Sequence, residues 1–177
     1  GGAVVSTLRG NTRGGSTITN QLAKNVYKTR GRKAGGILGW IPLVGTLMAK
    51  IKEWITAFKL EFFFTKNEIL THYFNTVTFG NNAYGLKSAS EYYFSKEPTD
   101  LKPEESALLV GILKGTSYYS PKTQPDRALA RRNVVLMQML KYDYLDSVSV
   151  QKLVAKPVKL KITEIVKDEG LAPYFRM

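Results

Sequence analysis

Cysteine is absent from the 177 residues, and histidine occurs once, at His72. Without thiols there is neither a disulfide framework nor a thiolate metal centre, and a single imidazole excludes a multi-histidine zinc site. The redox compartment is thereby left open. Long apolar runs are missing too: no stretch approaches the roughly 20 residues that a spanning helix requires, and the first residues lack the pattern of a secretory leader. Acidic residues are scarce, with 14 Asp+Glu against 26 Lys+Arg and a net charge of +12. That balance favours an anionic partner: nucleic acid, anionic lipid head groups or a phosphorylated substrate. There are no internal repeats and no low-complexity tracts. What is left, 44% apolar and 23% charged, suits one globular domain with a real core. The abrupt beginning and end read as a piece of something larger.

Hydrophobic spacing predicts a mainly α domain of six helices and no alternating strands. The first covers about residues 17–27, with Ile18, Leu22 and Val26 at i, i+4, i+8 and Ser16 or Thr17 as cap. A second runs from about Lys50 to Phe63, with Ile51, Trp54, Ile55, Phe58 and Phe62 on one face and Glu53 off it. Thr65 and Glu68 form a capping box for the third, whose face carries Ile69, Leu70, Tyr73 and Phe74. A fourth covers Tyr84–Tyr93. The fifth opens at Pro103, with Glu104 and Glu105 in a first turn where the helix dipole favours them. The sixth follows Pro125 and buries Ala128, Val135, Leu136 and Met139; weaker signal follows at Val148–Ala155, then an extended exit through Val158, Leu160 and Ile162.

Residues 34–49 (AGGILGWIPLVGTLMA) contain no charge, and Gly35, Gly36, Gly39, Pro42 and Gly45 make them a poor regular helix. Arg30, Arg32 and Lys33 precede the segment, and Lys50 and Lys52 follow it. An oily stretch with cationic flanks suits a membrane interface, where apolar side chains enter the acyl boundary and cations meet head groups; a buried core loop is the plainer alternative. Between Lys24 and Lys66 lie nine cations and only two carboxylates, Glu53 and Glu61, a net of +7. Ammonium and guanidinium groups at that density suit a diphosphate ester, and a carboxylate among them is expected to stay ionised.

Ordered motifs narrow this further. Gly14-Gly15-Ser16-Thr17-Ile18-Thr19-Asn20-Gln21-Leu22-Ala23-Lys24-Asn25 resembles the second signature of glycosyltransferase family 51, the peptidoglycan glycosyltransferases of class A penicillin-binding proteins. Lys50-Ile51-Lys52-Glu53 with Ala57, Leu60 and Glu61 resembles the third signature. Tyr73-Phe74-Asn75 with Phe79-Gly80 and Ala83-Tyr84-Gly85 resembles the fourth, and residues 107–113 with Tyr119-Ser120-Pro121 the fifth. Four motifs in the family's order are far more specific than one. Residues 168–176 resemble the exit toward a transpeptidase domain, so residues 1–156 are expected to be the glycosyltransferase domain and 157–177 a linker.

The resemblance implies a lysozyme-like helical fold at the extracytoplasmic face of the plasma membrane, with residues 34–49 touching the membrane. It implies polymerisation of lipid II onto a growing glycan strand with release of polyprenyl diphosphate. Lys24 would hold the diphosphate with help from Lys50, and Glu53 would orient it directly or through a divalent cation, magnesium or manganese. Ser16, Thr17 and Gln21 would line the donor cleft; Asn75, beside the turn glycines Gly80 and Gly85, would hold its wall and meet substrate. Glu61 reads as a surface or structural acid and His72 as a packed or surface histidine. The family's first motif, which supplies the general-base glutamate, is missing upstream of Gly14, so these residues alone are expected to be inactive. Asn20 replaces a usual Gln, Ala49 a usual Arg, and Lys114-Gly115 a common Leu-Pro pair. Three other readings compete: an inactive lipid- or inhibitor-binding fragment, a lysozyme-like hydrolase, which would want paired carboxylates, and a basic nucleic-acid-binding helical module. The oily segment argues against nucleic acid as partner.

Overall fold

Residues 17–27 and 42–163 are described by the computed structural model, the backbone alone for 27 and 42–49. Ser16, the cations Lys28 to Lys33, the first half of the oily segment and the exit residues 168–176 lie outside the described residues. Among those described, seven α-helices and one short 3-10 turn account for the regular structure, with a single isolated bridge between Thr78 and Tyr84. The mainly α architecture expected from the sequence is what they form. They fall into two packing units, one within Gly1–Val77 and the other within Thr78–Met177.

The first unit holds α1 (Ile18–Tyr27), α2 (Pro42–Phe63) and α3 (Lys66–Thr76). Thr17 caps α1 by accepting the Asn20 backbone N–H at 3.2 Å. The face that α1 buries is not the expected one. Ile18 and Val26 are exposed, whereas Thr19, Leu22 and Ala23 are buried. Residues at i, i+4 and i+8 drift around a helix of 3.6 residues per turn, so i, i+3, i+4 face one neighbour better. Small Thr19 and Ala23 also let α2 and α3 approach closely.

The α2 helix begins eight residues before the expected Lys50, taking in the second half of the oily segment. Pro42 stands at its first position, where a missing N–H is no loss. Gly45 inside it costs about 1 kcal/mol relative to alanine, too little to interrupt 22 residues. Glu53 and Ala57 turn inward, while Ile51, Trp54, Ile55, Phe58 and Phe62 stay exposed. Glu53 does lie off the apolar stripe, but it is the stripe that faces out. The expected capping box starts α3: Thr65 Oγ1 accepts the Glu68 N–H, and Glu68 accepts the Thr65 N–H at 2.8 Å. Ile69 and Tyr73 are the buried residues of α3, and Leu70 is exposed.

The second unit opens with a tight turn in which Gly80, Asn81 and Asn82 all have positive φ, conformations that glycine and asparagine tolerate best. Tyr93 locks it, donating its hydroxyl to the Phe79 carbonyl while accepting from Asn81 Nδ2, both at 3.0 Å. Then come α4 (Gly85–Phe94), a 3-10 turn (Pro98–Asp100), α5 (Pro103–Ile112), α6 (Pro125–Lys141) and α7 (Ser147–Ala155). Pro103 and Pro125 occupy first positions, as expected. Ala107, Leu136, Val150 and Leu153 form one core cluster, with Val135 and Met139 partly buried against it. At Gly111 a Cβ would meet Arg131 Cγ at 3.2 Å, so glycine allows α5 and α6 to cross closely. After α7 the chain runs irregularly along the end of α4, Lys161 and Thr163 donating backbone N–H groups to the carbonyls of Tyr93 and Tyr92.

Candidate active site

Three charged side chains meet in the first unit. On α2, Lys50 and Glu53 are one turn apart, so both point to the same side, and Lys50 Nζ donates to Glu53 Oε2 at 2.9 Å. From the last turn of α1, Lys24 Nζ reaches the same oxygen at 3.7 Å. A cation in that last turn also meets the negative end of the α1 dipole. Glu53 is only 1% exposed, while the two lysine side chains keep 23% and 37% of their surface. The carboxylate is thus the inner post and the ammonium groups are its outward face. Such a pair of cations presents positive charge to solvent, held in place from behind.

Two long-range hydrogen bonds tie α1 to its neighbours, one to α2 and one to α3. Thr19 Oγ1 donates to Glu61 Oε1 on α2 at 2.8 Å, so Glu61 is an exposed acid that also ties α1 to α2. Tyr73 donates its hydroxyl to Gln21 Oε1 at 3.0 Å from α3. Burial pushes the Tyr73 hydroxyl pKa upward, so it remains a donor across the neutral range. Gln21 sits one turn before Lys24 and is half-buried. Thr17 is exposed and its oxygen serves the cap. Asn75 is exposed in the last turn of α3. His72 is exposed, with Phe64 edge-on to its ring at 5.4 Å.

Of a donor set for a divalent cation, the described residues bring one carboxylate, Glu53, to this cluster. Hard cations want several oxygen ligands, and here the Glu53 oxygen already has two ammonium groups within 3.7 Å. Among the described residues no three His, Cys, Asp or Glu side chains converge.

A second polar site lies in the other unit, and sequence reading missed it. Arg132 on α6 is 1% exposed. Its guanidinium donates to the Val154 carbonyl at 3.1 Å, the Lys156 carbonyl at 2.8 Å and Asn133 Oδ1 at 2.8 and 3.1 Å. It thereby satisfies carbonyls left over at the end of α7. A cleft of about 320 Å³ beside it is lined by Phe94, Leu108, Lys102, Glu104, Glu105 and Lys156 among others. Its carboxylates are matched internally: Lys96 donates to both Glu105 oxygens at 2.8 Å and Lys156 to Glu104 at 3.0 Å. An arginine within an amphipathic helix normally reads as solvated; only the Asn133 beside it hints otherwise.

Comparison with known proteins agrees with the motif order. The family model described as "Transglycosylase" matches residues 1–140. Penicillin-binding protein 1A of Aquifex aeolicus is 40% identical over 148 residues, 84% of this chain and 19% of that protein. Penicillin-binding protein 1B of Vibrio cholerae is 35% identical over 178 residues, 98% of this chain and 21% of that protein. The crystal structure of penicillin-binding protein 1A from Haemophilus influenzae superposes with a TM-score of 0.53 at 32% identity, covering 55% of this chain and 15% of that one. The chain thus spans about a fifth of the length of these curated relatives.

Proposed function

The chain belongs to the transglycosylase family, and from that premise we propose that it is the glycan-polymerising part of a bacterial cell-wall synthase. Two lipid-linked disaccharide-peptides react: a sugar hydroxyl of the acceptor attacks the anomeric carbon of the donor, and polyprenyl diphosphate leaves with inversion. The observation that carries the reading is the Lys24–Glu53–Lys50 cluster. Charge building on the departing diphosphate calls for fixed cations close to it. Lys24 and Lys50 supply them, and buried Glu53 holds both ammonium groups at 3.7 and 2.9 Å so that neither has to be ordered during the reaction. Glu53 acts on the reaction through the lysines it orients. In the family's reaction the proton of the attacking hydroxyl is taken by the glutamate of the first motif.

The exposed stripe of α2 supports the membrane reading. Trp54, Phe58 and Phe62 keep 55%, 71% and 74% of their surface. Lys52 and Lys59 are exposed on the same helix, which suits anionic head groups. No helix among the described residues is long and apolar enough to cross a membrane. An extracytoplasmic location, a transpeptidase domain elsewhere in the same full-length chain and a growing glycan strand as second substrate complete the proposal.

The test compares full-length wild-type protein with Lys24→Ala and Glu53→Gln. Fluorescent lipid-linked disaccharide-peptide is supplied in detergent or liposomes, and both binding and glycan polymer are measured. Wild type is expected to polymerise, Lys24→Ala to bind at least tenfold more weakly, and both variants to make little polymer. Equal binding and polymerisation by all three proteins would overturn the assignment; cleavage of existing glycan without polymer would favour a hydrolase instead.

A further inference from the structure

Gln21 lies one turn from Lys24 on α1, and among the described residues the only hydrogen bond of its side chain is the one it accepts from Tyr73, at 3.0 Å. That bond spans 52 positions of sequence and joins α1 to α3. A glutamine amide can rotate to present either its oxygen or its NH₂ in a given direction, and the partner decides which. A phenol that donates its single O–H to Oε1 turns Nε2 the other way, leaving two N–H donors in a set orientation. We infer that Tyr73 is a positioning residue, which orients the Gln21 amide so that its N–H groups meet the phosphate or sugar oxygens of the donor substrate held at Lys24. This rests on the function proposed above.

Three observations support it. Tyr73 is 5% exposed and packed in the core of the first unit, so its ring cannot follow a moving partner. Burial disfavours the phenolate, which keeps the hydroxyl a donor. Gln21 is half-buried, so an amide freed from Tyr73 can rotate and is not simply replaced by bulk water. The cation cluster supplies charge, and the amide supplies direction: N–H donors discriminate among oxygens in a way that ammonium point charges do not.

The experiment is a double-mutant cycle in the full-length protein, with Tyr73→Phe, Gln21→Ala and the double variant assayed for kcat/KM on lipid-linked disaccharide-peptide. Tyr73→Phe keeps the ring and loses one hydrogen bond; it should lower kcat/KM about 5- to 10-fold with the melting temperature nearly held. The double variant should be no slower than Gln21→Ala alone, because Tyr73 acts through Gln21. An unchanged Tyr73→Phe, or losses that multiply in the double variant, would refute the inference and leave Tyr73 as packing only. Should Tyr73→Phe not fold, Gln21→Glu serves the same purpose. It keeps an acceptor for Tyr73 and removes both N–H donors, so activity should fall at least tenfold at wild-type melting temperature; full activity would overturn the role. A wild-type protein that makes no glycan would instead remove the proposed function, and this inference with it.

Discussion

Glu53→Gln tests the cluster most directly, because it removes one negative charge and changes almost nothing in shape. At 2.9 and 3.7 Å, the pairs with Lys50 and Lys24 amount to roughly 6 and 4.5 kcal/mol at an effective dielectric near 20. Opposing this is the desolvation of a carboxylate that is 1% exposed, itself worth several kcal/mol. Removing one partner of a buried pair usually costs about 3–5 kcal/mol because a charge is stranded. Here the stranded charges are lysines that keep 23% and 37% of their surface and can be hydrated again. The expected net loss is therefore smaller, about 2 kcal/mol, or about 4–8 °C in melting temperature for a chain of 177 residues. Polymerisation should fall further, about 100-fold or more, since two transition-state cations lose their anchor together. Urea unfolding followed by circular dichroism at 222 nm measures the first quantity, and gel analysis of glycan product measures the second. A variant as stable as wild type within about 0.5 kcal/mol, or one that polymerises normally, would refute the reasoning.

Arg132→Met should be among the most destabilising single changes in the second unit, by about 3–5 kcal/mol, because the carbonyls of Val154 and Lys156 lose their donor inside the protein; a loss below about 1 kcal/mol in urea unfolding would contradict that. Acidification should also destabilise the protein. Burial pushes the Glu104 carboxyl up, but its own backbone N–H, the hydrogen bond from Lys156 and the charges of Lys156 and Lys102 outweigh this, leaving it below the ordinary 4.5. Hydrogen bonds from Thr65 and Ser149 likewise hold Glu68 and Asp146 down. Depressed carboxyl groups stabilise the fold above their unfolded values and lose that contribution as pH falls through the folded ones, so the melting temperature should drop between pH 5 and pH 3; a flat profile would count against these pairings. Replacing Trp54, Phe58 and Phe62 together by serine should weaken co-sedimentation with anionic liposomes by at least tenfold while leaving the melting temperature close to wild type; unchanged binding would exclude the stripe.

Much of the helical frame was legible in the residues, and the reasons are local. Thr65 with Glu68, Pro103 with two following acids, and Pro125 each mark a helix start through contacts within four residues. The start of α2 was not legible, because Pro42 and Gly45 read as breakers unless the proline is known to stand first. A periodic apolar stripe says which side of a helix is oily and not what covers it, so Ile51, Trp54 and Phe58 gave no sign that they stay exposed. The charged cluster came from motif resemblance rather than from spacing. Lys50 and Glu53 are near in sequence, but Lys24 is 29 positions from Glu53, and no local pattern predicts that meeting. Contacts such as Tyr73 with Gln21 or Arg132 with Val154 likewise leave no signature in either partner.

The α2 helix carries Glu53 inward and the oily stripe outward. At 100° per residue the stripe is centred about 155° around the axis from Glu53, nearly diametrically opposite, and a helix with its side chains is about 10 Å across. One rigid rod therefore sets a fixed height. Whatever surface the aromatic side rests on, the carboxylate stands about one helix diameter above it. A pyrophosphate at the end of an embedded isoprenoid tail would be met at that level. Shaving the aromatics to smaller apolar groups would then lower the whole cluster toward the lipid, changing reach rather than chemistry.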